Sequence, residues 1–374
     1  MNIAIDISYV QRRRAGYGRF TLEILKALLS EKTIDHYILH GWSYSLDLAA
    51  LREFAINKQV RLNAARIPGP LKRFYWNSLR FPSIDFFTGP CDVFHSVEPL
   101  LPPAGKCKTI ATVHDLSYKK FPNLFNQGVI VWDRHIRRSL KVADAIVTPS
   151  QNTKADVVEM FGLDSEKIHV VHPPVSSIFT PGRGMAEPIL RKYGITQPYV
   201  LFAGTLEPRK NIPFLIKSFE RFCDKIHENV QLVLVGKRGW LYEGILKAIR
   251  ESPRAIDIKY LDYLPEADLA AIYSSALFFV YPSLYEGYGF PVLEAMSSGV
   301  PVITSRNSSM LELAEGAALL IDPTNVEEMV DCMEKLYSDA EMRREFSMKG
   351  IERVKGFSAA SAARSVFKIY DLLR

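Results

Sequence analysis

The sequence has no long apolar run, no leader-like N-terminus and no Asp-x-Asp segment. Its longest apolar stretch, near 276–281, is far shorter than the roughly 20 residues of a membrane-spanning helix. Asp6 interrupts the first apolar residues and Arg12, Arg13 and Arg14 follow them, which is not the order of a signal peptide. We therefore expect a cytoplasmic protein without a membrane span.

The chain is also poor in cysteine and has no C-x-x-C pair. Such scattering is typical of reduced, partly buried thiols, and we expect no metal ligation by them. Because no Asp-x-Asp segment is present to hold Mg²⁺ against phosphates, we expect neither a metal nor another cofactor. The four cysteines are Cys91, Cys107, Cys223 and Cys332.

Acidic residues are absent from 54–84, within a basic N-terminal half. Residues 1–180 carry 23 Lys and Arg against 16 Asp and Glu, whereas residues 181–374 carry 24 against 25. The segment 58–81 is either a peripheral contact with an anionic membrane or a core helix with a solvated flank. Its cations are Lys58, Arg61, Arg66, Lys72, Arg73 and Arg80, and its shared helical face is Leu71, Phe74, Tyr75 and Leu79.

What the sequence does have is a regular alternation of short apolar runs and helical patterns over 374 residues, which is enough for two domains. This alternation predicts an α/β fold with parallel sheets. Residues 173–188 are rich in Pro, Gly and Ser, so we expect a stiff linker and a domain boundary there. The candidate strands are Ile3–Ile7, Val93–Val97, Thr109–Val113, Ala145–Thr148, Ile168–His172, Tyr199–Ala203, Gln231–Val235, Ile256–Leu261, Leu277–Tyr281, Pro301–Thr304 and Ala318–Ile321.

Two glycines, Gly16 and Gly18, follow the first candidate strand and precede a helix. Glycine lets the backbone approach a ligand and a helix N-terminus attracts phosphate, although a plain turn explains the pair equally well. His114 follows another candidate strand, where it would bind a sugar hydroxyl or belong to a local hydrogen-bond network. His95 and His172 are weaker candidates of the same kind.

The segment 204–211, Gly-Thr-Leu-Glu-Pro-Arg-Lys-Asn, places two cations just before a helix. Arg209 and Lys210 oppose the dipole of that helix unless an anion lies near them. A diphosphate would supply the anion, because Arg gives a forked contact and Lys a point charge. The alternative is an ordinary pair of surface cations.

The segment 282–296 combines a glycine-rich loop, a helix start at Pro291 and two glutamates, Glu286 and Glu294. Carboxylates accept hydrogen bonds from vicinal hydroxyls, so the two side chains suit a sugar or a ribose. One alternative is an acid–nucleophile pair for hydrolysis. Another is a capped helix with a solvated Glu294.

Together these segments resemble family 4 of the glycosyltransferases, which has the GT-B architecture of two Rossmann-like domains with parallel sheets facing across a cleft. The stretch 199–323 looks most like mannosyltransferases that build bacterial surface polysaccharides. The match rests on Glu286 and Glu294 with seven residues between them, on 204–211, on the Gly16-x-Gly18 loop and on His114. One departure is Ala15, where many members have a further glycine, and this weakens the expected grip on the donor there.

The resemblance implies an acceptor domain over 1–175, a donor domain over 176–357 and a last helix, 358–374, that packs back on the first domain. It implies that Arg209 and Lys210 neutralise the donor diphosphate. Glu286 would hold the donor sugar and Glu294 the ribose. The implied catalytic residues are His114, Glu286, Arg209 and Lys210, and the implied donor-binding residues are Gly16, Gly18, Gly204, Arg209, Lys210, Tyr263, Leu264, Glu286, Gly287, Tyr288, Gly289, Phe290, Val292 and Glu294.

The implied activity is retaining transfer of mannose from GDP-mannose to a hydroxyl of a glycan or lipid-linked acceptor, at the inner face of the membrane. A UDP- or ADP-sugar donor, a GT-B sugar phosphorylase and a nucleotide-sugar epimerase stay open, because no residue by itself identifies guanine. The incomplete glycine fingerprint disfavours a nicotinamide-dependent dehydrogenase. A non-catalytic sugar- or nucleic-acid-binding protein would explain the basic half but not the convergence of acids and cations, so we expect no nucleic-acid partner.

Overall fold

The computed structural model describes residues 1–11, 16–31, 33–42, 46–65, 74–79, 81–125, 133–182, 186–196 and 198–374. They form two compact units. Unit 1 comprises Met1–Pro174 and Ser358–Arg374, and unit 2 comprises Val175–Phe357. Each unit is built on a parallel sheet with helices, so the predicted α/β class with two Rossmann-like domains is confirmed.

Unit 1 contains a seven-stranded parallel sheet in the order β3-β2-β1-β4-β5-β6-β7. Its strands are short and mostly buried, as parallel strands covered by helices must be. The strands are β1 Asn2–Asp6, β2 His36–Trp42, β3 Val60–Ala65, β4 Val93–Ser96, β5 Lys108–Thr112, β6 Ala145–Thr148 and β7 Ile168–Val170. The α-helices before the unit boundary are α1 Gly16–Ser30, α2 Leu48–Ala55, α3 Ile84–Thr88, α4 Ser117–Lys120, α5 Asp133–Val142 and α6 Gln151–Phe161.

Unit 2 contains a six-stranded parallel sheet in the order β10-β9-β8-β11-β12-β13. The strands are β8 Tyr199–Ala203, β9 Gln231–Val235, β10 Ile258–Leu261, β11 Phe278–Tyr281, β12 Val302–Ser305 and β13 Leu319–Ile321. The α-helices are α7 Ala186–Tyr193, α8 Ile212–Ile226, α9 Glu243–Glu251, α10 Glu266–Ser274, α11 Phe290–Ser297, α12 Ser308–Ala314, α13 Val326–Ser338 and α14 Ala340–Val354.

The order of the strands reverses at the centre of the unit 2 sheet. The chain steps outward from β8 to β9 and β10 and then returns to β11, which pairs with β8. The loops that leave the carboxyl ends of two such strands diverge, and this is where open parallel sheets bind ligands. Both motif-bearing segments of unit 2, 204–211 and 282–296, begin at this point.

The last helix, α15, spans Ala359–Leu372 and packs against α1 in unit 1. Ser358 caps it by accepting a hydrogen bond from the Ser361 N–H. On its buried face, the Tyr370 hydroxyl lies 3.0 Å from His95 Nδ1 on β4. The chain thus returns to unit 1 after completing unit 2.

Cys91 and Cys107 form a disulfide, so the expectation of reduced thiols is wrong for this pair. The two residues precede β4 and β5, which run side by side with Val93 opposite Lys108. Strand pairing therefore brings their Cα atoms to 5.7 Å, a normal separation for a disulfide. Cys223 and Cys332 are free thiols.

The basic segment 58–81 is described only in part. Trp76, in a short π-helix over Phe74–Leu79, is buried with its ring stacked on Trp42 at 4.9 Å, whereas Leu79 and Phe81 are exposed. No helix in the described part of the chain is long and apolar enough to cross a bilayer. Of the residues named for this segment, Arg66, Leu71, Lys72, Arg73 and Arg80 lie outside the described residues, as do Ala15 and the three arginines before it.

Candidate functional site

The cations of the segment 204–211 lie in a tight turn between β8 and α8. Pro208–Lys210 forms one turn of 3₁₀-helix, and Asn211 follows in the left-handed conformation with φ 58°. The Asn211 side chain donates to the Pro323 carbonyl at 2.7 Å and so fixes the turn. Arg209 and Lys210 are only 8% and 7% exposed, which excludes an ordinary surface pair.

Both cations bind the same carboxylate. Lys210 Nζ lies 2.6 Å from Glu286 Oε1, and Arg209 Nη1 lies 2.8 Å from Glu286 Oε2. Glu286 is 6% exposed, so these ion pairs are shielded from water. The structure therefore brings together three of the four residues of the predicted catalytic set.

A second carboxylate, Glu207, completes the group. Arg209 Nη2 donates to Glu207 Oε1 at 2.6 Å, and Arg209 Nη1 also donates to the Tyr285 carbonyl at 2.6 Å. We call Glu207, Arg209, Lys210 and Glu286 the charge cluster; it holds two cations and two carboxylates. Glu207 was not predicted from the sequence, although its place two residues before Arg209 was the available signal.

The charges set the protonation of Glu286. Burial alone would raise the pKa of this carboxyl group, but the positive charges of Arg209 and Lys210 outweigh burial and lower its pKa to about 2. Glu286 is therefore a carboxylate at neutral pH. It accepts hydrogen bonds and cannot donate a proton.

Tyr281, the last residue of β11, lies beneath the cluster and was also missed. Lys210 Nζ donates to its hydroxyl at 2.6 Å, and its ring is stacked on Phe202. Burial raises the pKa of Tyr281 well above its usual value, with the charge of Glu286 acting in the same direction. The hydroxyl thus stays neutral and helps to position the Lys210 ammonium.

Serine side chains hold the loop that carries Glu286. The Glu286 N–H donates to Ser308 Oγ at 3.0 Å, and the Ser309 hydroxyl donates to the carbonyls of Glu286 and Tyr288. Gly289 adopts φ 149°, and a Cβ there would lie 2.2 Å from the Met310 methyl group. A glycine is therefore required where the loop turns into α11. Gly287, Tyr288 and Val292 of this predicted set are buried, and Phe290 is half-buried.

Glu294 occupies a separate position on α11. It is 2% exposed, which contradicts the alternative of a solvated side chain. The Tyr273 hydroxyl, from α10, donates to Glu294 Oε2 at 3.1 Å. Tyr273 was not singled out from the sequence; it is fully buried, and it orients the carboxylate that we expect at the ribose.

The remaining predicted donor-binding residues of unit 2 lie at the carboxyl ends of β8 and β10. Gly204 follows β8, and its carbonyl oxygen would lie 1.9 Å from a Cβ built on Gly236, so the neighbouring loops touch there. Tyr263 is 37% exposed two residues after β10, whereas Leu264 belongs to the hydrophobic core.

Unit 1 places the other candidates at the carboxyl edge of its own sheet. His114 Nε2 donates to the Val97 carbonyl at 2.8 Å, and the imidazole is stacked on Tyr17 with ring centroids 4.0 Å apart. Burial lowers the pKa of His114 to about 4, so the ring is neutral and Nδ1 is an acceptor. Gly18 is buried in α1, and Gly16 is exposed at its first residue with open space around it.

Among the described residues, no group of three or more His, Cys, Asp or Glu side chains is arranged to hold a metal ion. The charge cluster, in contrast, combines carboxylates with cations, and all four of its side chains are buried. The expected roles of the individual residues toward a donor stay predictions.

Two family models match the chain. The model for Glycosyl transferases group 1 matches residues 186–353, and the model for Glycosyltransferase Family 4 matches residues 14–179. The chain is 29% identical over 393 aligned residues to O-antigen chain mannosyltransferase B of Escherichia coli, with 100% of both chains covered.

Solved structures share the fold. Sucrose-phosphate synthase from Thermosynechococcus elongatus has a TM-score of 0.77 at 18% identity, covering 100% of this chain and 99% of that one. Anabaena HepE in complex with UDP and glucose has a TM-score of 0.77 at 14% identity, covering 100% of both chains. The GT-B fold is therefore common to this chain and to proteins of very different sequence.

Proposed function

Because the chain belongs to family 4 of the glycosyltransferases and has the GT-B fold, we propose that it is a retaining mannosyltransferase that uses GDP-mannose. The proposed acceptor is a hydroxyl of a glycan or lipid-linked glycan in surface-polysaccharide biosynthesis. The likeness to an O-antigen chain mannosyltransferase over the full chain supports both the sugar and the acceptor class.

The observation that carries the donor assignment is the charge cluster. A diphosphate needs cations that are held in place, and Arg209 and Lys210 are buried, paired and fixed at the carboxyl edge of the sheet. The Lys210 ammonium has three donors, and the structure directs two of them to Tyr281 and Glu286. We assign its third N–H to a phosphate oxygen of the donor.

In the proposed reaction, the acceptor hydroxyl attacks the anomeric carbon from the face that the diphosphate leaves. The bond from that carbon to the phosphate oxygen breaks, and the departing phosphate takes the proton of the acceptor hydroxyl. Arg209 and Lys210 stabilise the negative charge that grows on the leaving group. Glu286 accepts hydrogen bonds from the mannose hydroxyls and forms no covalent bond.

A thermal-shift panel of GDP, UDP and ADP with their sugars tests the donor. A ligand that binds only the folded protein raises its unfolding temperature by an amount that depends on its concentration relative to Kd. We expect the largest rise with GDP and GDP-mannose. A larger rise with UDP or ADP would replace the donor, and no rise with any nucleotide would reject the donor site.

The anomeric configuration of the product tests the mechanism. We expect NMR of the isolated product to show the same configuration as in GDP-mannose, and mass spectrometry with a slow donor analogue to show no adduct on Glu286. An inverted product or a trapped mannosyl–Glu286 ester would contradict the proposed step.

We also propose that the transfer needs no metal, since the cations of the charge cluster take the place of Mg²⁺ at the phosphates. Activity in the presence of excess EDTA should equal activity with added Mg²⁺. A loss of activity in EDTA that Mg²⁺ restores would reject this part of the proposal.

A further inference from the structure

Arg238 lies on the loop between β9 and α9, at the carboxyl edge of the unit 2 sheet. Strand β9 lies between β8 and β10, and Val235 is paired with Leu261. The loop therefore leaves the sheet between the segment that carries the charge cluster and the segment that carries Tyr263. No role was expected for Arg238 from the sequence.

The backbone of this loop is fixed to the segment after β8. The Leu206 N–H donates to the Lys237 carbonyl at 2.9 Å, and the Gly239 N–H donates to the Leu206 carbonyl at 2.9 Å. A Cβ on Gly239 would lie 2.7 Å from the Thr205 methyl group and 2.8 Å from the Leu206 carbonyl oxygen. Only glycine allows this approach, so Arg238 has a fixed position relative to the charge cluster.

Two tyrosines hold the Arg238 side chain at the edge. The guanidinium lies 5.5 Å from the ring of Tyr242, and the nearby hydroxyls of Tyr260 and Tyr242 raise the pKa of Arg238. Tyr260 is itself fixed, because its hydroxyl donates to the Gly236 carbonyl at 3.1 Å. A guanidinium has five N–H donors. Because Arg238 is exposed to solvent, some of these donors are available to a ligand.

The proposed function determines what lies next to these donors, and the inference rests on it. The family resemblance implies a nucleobase near Tyr263 and Leu264 and a diphosphate at Arg209 and Lys210, and the loop after β9 lies between the segments that carry them. We propose that Arg238 binds the O6 and N7 acceptors of guanine through a forked pair of hydrogen bonds and so selects the GDP donor. Adenine carries an amino donor in place of O6, and uracil has no such pair of neighbouring acceptors.

Calorimetric titration of four nucleoside diphosphates into Arg238→Gln and the wild-type protein tests this contact. Inosine diphosphate keeps O6 and N7 but lacks the 2-amino group, so wild type should bind GDP and IDP alike and bind ADP and UDP more weakly. A forked contact with guanine discriminates by about 1–3 kcal/mol, or about 5- to 150-fold. Arg238→Gln should weaken GDP and IDP by this factor and leave UDP unchanged. ADP binding should not weaken, because a Gln amide can pair with N6 and N7 of adenine.

Two further variants complete the test. Lys237→Gln removes the neighbouring positive charge and should change GDP binding by no more than about twofold, as expected for a rim charge. Arg238→Lys keeps the charge but loses the fork, so it should resemble Arg238→Gln in its loss of preference for GDP over ADP. Unfolding temperatures of the ligand-free variants should match wild type, because Arg238 is exposed.

Each of the remaining outcomes contradicts either the role assigned to Arg238 or the proposed donor. Equal weakening of all four nucleotides by Arg238→Gln would place the residue at the diphosphate and overturn the assignment. Unchanged GDP binding would show an ordered surface arginine and also overturn it. If wild type binds none of the four, or prefers UDP, the proposed donor itself fails, and this result does not depend on the variants.

Discussion

The two units bury ionisable groups at equivalent edges of similar sheets, but by opposite means. In unit 2, Glu286 keeps its charge because Arg209 and Lys210 compensate it. In unit 1, none of the carboxylates that the structure describes forms an ion pair with His95 or His114, and burial lowers the pKa of each histidine to about 4. A buried group either finds an opposite charge or becomes neutral, and Glu286 and the two histidines show one of these solutions each.

The difference fits the proposed division of labour. Fixed charges suit a site that must hold a charged leaving group, because the cations are already in place when the diphosphate arrives. A neutral imidazole suits a site that exchanges hydrogen bonds with sugar hydroxyls, because His114 can accept through Nδ1 without carrying a charge. Placement of His114 near the transferred sugar stays a prediction.

The largest expected effect comes from Glu286→Gln compared with His114→Gln. Glu286→Gln leaves two buried cations with a single carboxylate, and breaking a buried ion pair costs about 3–5 kcal/mol. His114→Gln keeps a donor for the Val97 carbonyl and leaves no unpaired charge, so we expect a loss of about 1–2 kcal/mol. Hydrogen exchange of the β8–β9 and β5–β6 peptides measures the two units separately.

The rate of sugar transfer is a second measurement on the Glu286→Gln variant. Removing a group that binds the transferred sugar in the transition state should lower kcat by about 100- to 1,000-fold in Glu286→Gln. Glu315→Ala, an exposed residue of unit 2, is the matched control and should behave as wild type. Equal destabilisation by Glu286→Gln and His114→Gln would remove the distinction between charged and neutral burial.

Acid should open unit 1 before unit 2. Between pH 6.5 and about 4 the unfolded chain binds protons at His95 and His114 that the folded unit does not bind, so the stability of unit 1 falls as the pH falls through this window. The lowered pKa values correspond to at most about 3 kcal/mol per histidine. The stabilisation that Glu286 contributes is lost only as the pH falls from 4.5 to about 2, because the pKa of Glu286 is lowered in the folded state.

Hydrogen exchange at pH 7, 5 and 4 measures this order of opening. His95→Gln should reduce the pH dependence of unit 1, while His227→Gln, an exposed residue of unit 2, should leave it unchanged. If unit 2 loses protection first on acidification, the contrast drawn from the pKa values is wrong.

Several strands of both sheets were predicted accurately from the sequence, whereas β2 and β3, at one edge of the unit 1 sheet, were not predicted. Ala145–Thr148, Tyr199–Ala203 and Gln231–Val235 were predicted with the bounds that the structure has, because buried parallel strands are continuous apolar runs. Strands β2 and β3 were missed. Histidines interrupt β2, and β3 alternates polar and apolar residues at the edge of the sheet, so neither has an uninterrupted apolar run.

The candidate site contains residues that local sequence motifs reveal and residues whose contacts depend on distant parts of the chain. Arg209, Lys210 and Glu286 lie in recognisable loop motifs and Glu294 in the helix that follows one, so all four are predictable from the sequence. Tyr281 and Tyr273 look like ordinary core residues, because their hydroxyl contacts depend on residues 71 and 21 positions away in the chain. The disulfide between Cys91 and Cys107 was missed for the same reason, since only the pairing of β4 with β5 brings the two together.

A smaller effect is expected from removing one hydroxyl in each unit. The Tyr281 hydroxyl accepts a hydrogen bond from the charged Lys210 in unit 2, whereas Tyr370 contacts the neutral His95 in unit 1, and both side chains are buried. Hydrogen bonds to charged groups contribute about 1.5–3 kcal/mol and neutral ones about 0.5–1.5. We therefore expect Tyr281→Phe to cost more stability than Tyr370→Phe, measured by urea unfolding.

Enzyme kinetics separates positioning from simple stabilisation in this pair. Tyr281→Phe should lower kcat about tenfold and change the donor KM little, because Lys210 would lose a partner that holds its ammonium at the leaving group. Tyr370→Phe should leave both constants unchanged. A loss of kcat in Tyr370→Phe equal to that in Tyr281→Phe would show that both hydroxyls act only through stability.

The smallest expected effect concerns the uneven charge of the two units. We propose that the basic segment 58–81 of unit 1 contacts anionic membranes, where each cation near the surface contributes about 1 kcal/mol. Lys58→Gln should therefore reduce co-flotation with anionic vesicles by about fivefold at low salt. Lys217→Gln, which removes an exposed cation of unit 2, should have no effect. Flotation that is equal on neutral and anionic vesicles, or equally reduced by both substitutions, would show that the excess of charge in unit 1 does not serve the membrane.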